Sequence, residues 1–108
     1  MGSEAIFLTR EDTLSVILPG EIDHHAAKPI REKTDIKLFE YSPRLLVMDF
    51  SAVSFMDSSG IGLILGRAEL CEELGCRIRL KGLSGTLMKL IRLSGIEKIK
   101  NLSISDAT

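Results

Sequence analysis

The sequence predicts an α/β sandwich: a mixed sheet of four to five strands with about three α-helices. Three observations carry that expectation. Residues 5–9 and 13–18 are β-rich, with Leu14, Val16 and Leu18 alternating onto one face and Arg10-Glu11-Asp12 reading as the turn of a hairpin. From residue 26 onward, helical and strand patterns alternate, the order that builds helices against a sheet. Leu45–Phe50 is a continuous apolar run after Pro43, the mark of a central strand covered on both faces.

The elements follow in order. Pro19-Gly20 interrupts the second strand of the hairpin, and a helix is expected to begin near Ala26–Lys28 and run to about Phe39. Pro29 fits that helix only in its first turn, where a missing N–H costs nothing. After the strand at 45–50, a second helix should occupy residues 58–74. Arg77–Leu80 reads as a strand, Ser84–Ser94 as a third helix stopped by Gly95, and Ile99–Ile104 as a short last strand. No internal repeat, low-complexity tract or linker divides the chain, so residues 1–108 are expected to form one domain.

Composition narrows the function. The chain has 44% hydrophobic residues, enough for a single core, and 14 basic against 15 acidic residues. A net charge of −1 gives no footprint for nucleic acid or an anionic membrane. No apolar run approaches the roughly 20 residues of a membrane span, and Met-Gly-Ser-Glu at the N-terminus does not read as a signal peptide or lipidation site. Cys71 and Cys76 form neither a disulfide framework nor a zinc pattern; they read as reduced thiols, one on a helix and one entering a strand, in a cytosolic protein.

The stretch Phe55-Met56-Asp57-Ser58-Ser59-Gly60 is where chemistry concentrates. It lies between the strand near 45–50 and the helix starting near 58, so Asp57 or Ser58 can cap the first turn for about 1 kcal/mol. At 100° steps the helix places Ile61, Ile64, Leu65, Ala68 and Cys71 on one side and Leu63, Leu70 and Leu74 on another. The remaining face holds Gly62, Gly66, Glu69 and Glu73. Each internal glycine costs about 1 kcal/mol relative to alanine. Glycines 62 and 66 therefore mark either a flat patch for another protein or a close packing inside the fold. A serine at a helix start also suits a phosphate, because the free N–H groups and the dipole stabilise the dianion. Against an acidic group about 6 Å away, that phosphate meets a repulsion of roughly 1–6 kcal/mol for effective dielectrics of 80 down to 20. The stretch suits a switch better than a catalyst.

"VSFMDSSGIGLILGR" together with "GEIDHH" resembles the anti-sigma factor antagonists of the STAS family, over nearly the whole chain. The double histidine after Gly-Glu-Ile-Asp tilts the resemblance toward the sporulation branch. The resemblance implies partner switching. Ser58 would be phosphorylated by an anti-sigma factor that is also a serine kinase; the unphosphorylated antagonist would bind that kinase and free its sigma factor. A phosphoserine phosphatase would restore the binding form. Asp23 matches the family's acidic residue beside the phosphosite. Asp57, Ser59 and Gly60 complete the loop, with Gly62, Leu63, Gly66 and Arg67 as the docking face. No cofactor is expected, since the ATP and ADP of this chemistry belong to the kinase and no phosphate-binding glycine motif is present. The free chain is expected to be a monomer without nucleic-acid or membrane partners. The family usually ends in a further helix, whereas this sequence stops at "NLSISDAT", and Pro29 stands one place later than the proline common in its first helix.

Other readings stay in view. A STAS scaffold or general-stress antagonist would use the same fold. A small serine hydrolase would need G-x-S-x-G and a histidine base; Ser58 and Ser59 lack that pattern, although His24 and His25 share their end of the sheet. A metal site from Asp23, His24, His25 and Asp57 has no recognised spacing. One histidine is expected partly packed and the other solvated. Met48 and Met88 read as packing residues, Met56 as one that a partner could reach, and Glu72-Glu73 as a solvated helix edge.

Overall fold

The computed structural model describes residues 4–105, so Met-Gly-Ser at the N-terminus and the last three residues lie outside it. β1 (Ile6–Arg10) and β2 (Thr13–Ile17) form the hairpin, turning through Glu11, whose φ is 53°. β4 (Leu45–Asp49) runs parallel to β2, β6 (Arg77–Lys81) to β4, and β7 (Leu102–Ile104) to β6. The sheet order is β1-β2-β4-β6-β7, one antiparallel pair on an otherwise parallel sheet. The crossovers carry α1 (His24–Tyr41), α2 (Ser58–Leu74) and α3 (Gly85–Ser94), the last followed by a 3-10 turn at Ile96–Lys98.

One face of the sheet is the core. Leu14, Val16, Leu46, Met48, Ile78 and Leu80 are all fully buried, together with Ile30 and Leu38 of α1 and Ile64, Ala68 and Cys71 of α2. Each buried aliphatic side chain of this size contributes about 1.5–3 kcal/mol. The other face is open among the described residues. Ile6, Leu8 and Arg10 of β1 and Arg77, Arg79 and Lys81 of β6 are exposed there. The expectation that strand 45–50 is covered on both faces is therefore overturned. Val47 on the open side is buried because it lies in register between Ser15 and Arg79, where neighbouring strands shield a central residue without a helix above it.

Several boundaries move for identifiable reasons. α1 begins at His24, not Ala26–Lys28, because Asp23 caps it, its Oδ1 accepting from the Ala26 N–H at 2.9 Å. Pro29 is thus the sixth helical residue, beyond the first turn. Its missing N–H leaves the His25 carbonyl without a helical donor, but both residues are exposed and water can serve that carbonyl. The last strand starts only at Leu102, after the 3-10 turn.

α2 has the expected ends. Gly75 takes a left-handed conformation, and Cys76 N–H donates to the Cys71 carbonyl at 2.7 Å, so that Cys71 and Cys76 supply the apolar contact of a Schellman cap. Both cysteines are free and buried; the neighbouring Cys76 thiol, together with burial, pushes the Cys71 thiol well above the usual thiol range. The inward stripe of α2 differs from the expected one. It comprises Gly60, Leu63, Ile64, Arg67, Ala68 and Cys71, while Leu65 and Leu74 are exposed.

Candidate functional site

Two short strands invisible in the sequence pattern build the site. β3 (Glu21–Ile22) pairs in parallel with β5 (Phe55–Met56), Ile22 opposite Met56. The Gly20 carbonyl accepts from the N–H groups of Ser54 and Phe55 at 2.7 and 3.3 Å and from the Ser54 hydroxyl at 3.1 Å. Asp57 N–H continues the ladder to the Ile22 carbonyl at 3.2 Å. The next residue of each strand is an aspartate, and each caps a helix. Asp23 and Asp57 thus stand side by side at the starts of α1 and α2, both in extended backbone.

Asp57 Oδ1 accepts from the Ser59 N–H at 2.8 Å, leaving Ser58 as the first residue of α2 with its side chain exposed. The Ala26 N–H, above all, holds the Asp23 carboxyl below the usual aspartate range, with the His25 charge as a smaller cause acting the same way. Two helix N-termini, two carboxylates and one exposed hydroxyl therefore meet at one end of the sheet. His24 and His25 are both exposed, their rings edge to face with centroids 5.8 Å apart; neither is packed, contrary to expectation. No group of three or more potential metal ligands occurs among the described residues.

The remaining site residues divide by exposure. Gly62 is exposed and Ser59 and Gly66 half-buried, whereas Gly60, Leu63 and Arg67 are buried and shape the surface rather than present it. Gly60 has a packing reason. A β-carbon there would come within 2.2 Å of Met56, whose side chain fills the space beneath the loop; Met56 is buried and not open to a partner. A β-carbon at Gly62 or Gly66 would meet nothing within 4 Å, so internal packing does not demand those glycines.

Arg67, expected on a docking face, is turned into the seam between α2 and α1, with 7% of its side chain accessible where it lines the groove between the helices. Its Nη2 donates to Asp35 Oδ2 at 3.3 Å, and its Nε comes within 2.8 Å of Oδ1 but too far out of line to donate. Burial raises the Asp35 pKa and lowers that of Arg67, each effect only partly offset by the other's charge. Beside this pair a groove of about 620 Å³ opens between the helices, with His24, Lys28 and Arg31 on the α1 side and Ser59, Gly62 and Gly66 on the α2 side. Lys28, Arg31 and Asp35 were not singled out from the sequence. Their 3- and 4-residue spacing puts them on one helix face, a signal with meaning only once α2 is known to lie alongside.

Residues 5–106 match the STAS domain family. The chain is 39% identical over 89 residues to an anti-sigma F factor antagonist of Lysinibacillus sphaericus, covering 82% of this chain and 75% of that one. It is 32% identical over 93 residues to an anti-sigma-B factor antagonist of Bacillus subtilis, covering 86% and 84%. The fold superposes on the anti-sigma factor antagonist SpoIIAA in its unphosphorylated form with a TM-score of 0.81 at 32% identity, covering 95% of this chain and 89% of that one. The phosphorylated form of the Bacillus cell fate determinant SpoIIAA matches with a TM-score of 0.74 at the same identity, covering 95% and 92%. By the match over nearly its whole length and the SpoIIAA-like fold, this chain belongs to the STAS domain family.

Proposed function

We propose that this chain is an anti-sigma factor antagonist switched by phosphorylation of Ser58. The observation that carries the reading is the exposed Ser58 hydroxyl at the first position of α2, with Asp57 capping the helix and Asp23 beside it. The named function of the similar antagonists supports it, as does the likeness to a protein known in unphosphorylated and phosphorylated forms. In the unphosphorylated form the chain binds an anti-sigma factor with serine-kinase activity and displaces its sigma factor. The kinase brings the ATP; this chain supplies only the acceptor oxygen. A phosphate on Ser58 is tolerated by the helix, whose free N–H groups and dipole favour an anion at this end. It adds −1.5 to −2 charges next to Asp57 and Asp23, which repels acidic groups of the bound kinase. A phosphoserine phosphatase resets the switch, in the cytoplasm, on an antagonist that is monomeric when free.

The test is intact mass and peptide mapping after incubation with a candidate anti-sigma kinase and ATP. One phosphate on Ser58, absent from Ser58→Ala, is the expected result. A phosphate at another residue, or none while the same kinase modifies a control antagonist, overturns the reading for that pair.

A further inference from the structure

The groove between α1 and α2 has more positive charge than its own acidic groups neutralise. Lys28 and Arg31 line it from α1 and are exposed; Arg67 lines it from α2 with only 7% of its side chain accessible. The carboxylate paired with Arg67 is Asp35, at the seam. Three cations against that one carboxylate leave an excess of two charges, in a chain whose net charge is −1. Arg31 is close enough to act on both members of the buried pair, opposing the charge on Arg67. Arg67 Nη1 is buried without a hydrogen-bond partner, an unsatisfied donor at the groove wall. The acidic residues of α2, Glu69, Glu72 and Glu73, lie toward the other end of that helix and do not line the groove. The groove is also kept open: Ala27, Gly62 and Gly66 form its lining, and the two glycines have empty space where a side chain would stand.

We infer that this groove receives a carboxylate-bearing segment of the anti-sigma partner, with Lys28 and Arg31 drawing its acidic side chains in over the glycines of α2. The inference rests on the proposed partner-binding function and specifies its chemistry. A volume of about 620 Å³ suits a stretch of polypeptide better than one small anion, and Ser59 lines the groove next to Ser58, so one partner covers both. Charge complementarity of this kind acts mainly on association rate and specificity. It also explains how a phosphate acts without rearranging the fold. A dianion on Ser58 competes for the same cations and repels the carboxylates they attract.

The experiment has two arms. In the first, the kinase that modifies Ser58 binds wild-type chain, a Lys28→Glu/Arg31→Glu double variant, and Lys33→Glu, which reverses an exposed charge of α1 outside the groove. The double variant should bind at least about tenfold more weakly, with a flatter dependence on salt, while Lys33→Glu stays within about twofold of wild type. Equal losses in all variants, or no loss in the double variant, overturn the inference even though the kinase still binds wild type. In the second arm no kinase is needed: acetylated hexaglutamate is titrated into ¹⁵N-labelled protein. Shifts at the Ala27, Gly62 and Gly66 amides that vanish in the double variant support the groove as a carboxylate site. An absence of shifts, or an equal response to inorganic phosphate at the same concentration, overturns it, the latter by making the groove a small-anion site. Failure of wild type to bind or be modified by the kinase concerns the proposed function alone, and the peptide arm still decides the groove.

Discussion

α1 and α2 begin alike and are used differently. Each follows a two-residue strand, each is capped by an aspartate, and the two caps are neighbours because β3 and β5 run parallel in register. After that the chemistry diverges. α1 continues His24-His25 and then cations on the groove side. α2 continues Ser58-Ser59 and then glycines. One start presents charge and the other presents a modifiable hydroxyl on a surface stripped of side chains. The same backbone device, an aspartate-capped N-terminus, thus opens a charged face on one helix and an exposed hydroxyl on the other.

The largest test of that division is at Ser58 itself. Affinity for the anti-sigma kinase should fall about 100-fold, or about 2.7 kcal/mol, from Ser58→Ala to Ser58→Glu, measured by calorimetry. Nearly equal affinities would place the switch elsewhere. Next comes the seam between the helices. Asp35→Asn leaves Arg67 buried without its counter-charge and should lower unfolding free energy by about 2 kcal/mol, less than the 3–5 typical of fully buried pairs because Asp35 is partly exposed. Arg67→Met, which removes the buried charge instead, should cost less in the same denaturation experiment. If the order reverses, Arg67 is held by packing rather than by Asp35.

The glycines of α2 sharpen the comparison further. Gly62→Ala and Gly66→Ala should each stabilise the fold by up to about 1 kcal/mol, since each meets open space and alanine is the better helix former. Gly60→Ala should destabilise by a similar amount because Met56 must move. Gly62→Leu should keep or raise thermal stability while weakening kinase binding. A collapse in stability instead would mean that the glycine serves packing.

The smallest effects are at the caps. Asp57→Ala should cost about 1 kcal/mol. Asp23 has its pKa lowered in the folded chain, so its contribution is present above the unfolded carboxylate pKa and is lost as pH falls through the lower folded value. Asp23→Ala should therefore flatten the loss of stability below about pH 4, read by thermal melting against pH. An unchanged slope in the acidic range would mean that the ionised Asp23 carboxylate does not stabilise the start of α1.

Much of this molecule was legible from the chain because the responsible signals are local. Alternation of Leu14, Val16 and Leu18 is set by the strand period, and the ends of α2 by an aspartate and a glycine acting on adjacent backbone. Ser58 as a helix-start serine was readable for the same reason. What failed depended on elements far apart in sequence. The pairing of β3 with β5 gives two residues from each strand too little pattern to read, yet it sets Asp23 beside Asp57. The inward turn of Arg67 reflects Asp35, 32 residues earlier, and no helical wheel drawn for α2 alone contains it. The open face of the sheet depends on where all three helices pack, which an apolar run at 45–50 does not encode. Sequence by itself determined the main strands and helices, the ends of α2 and its helix-start serine, through hydrogen bonds and side-chain periods within a few residues. Only the tertiary structure decided that Arg67 and Asp35 share the seam and that Lys28 and Arg31 of α1 face the glycines of α2, because it alone lays the two helices side by side.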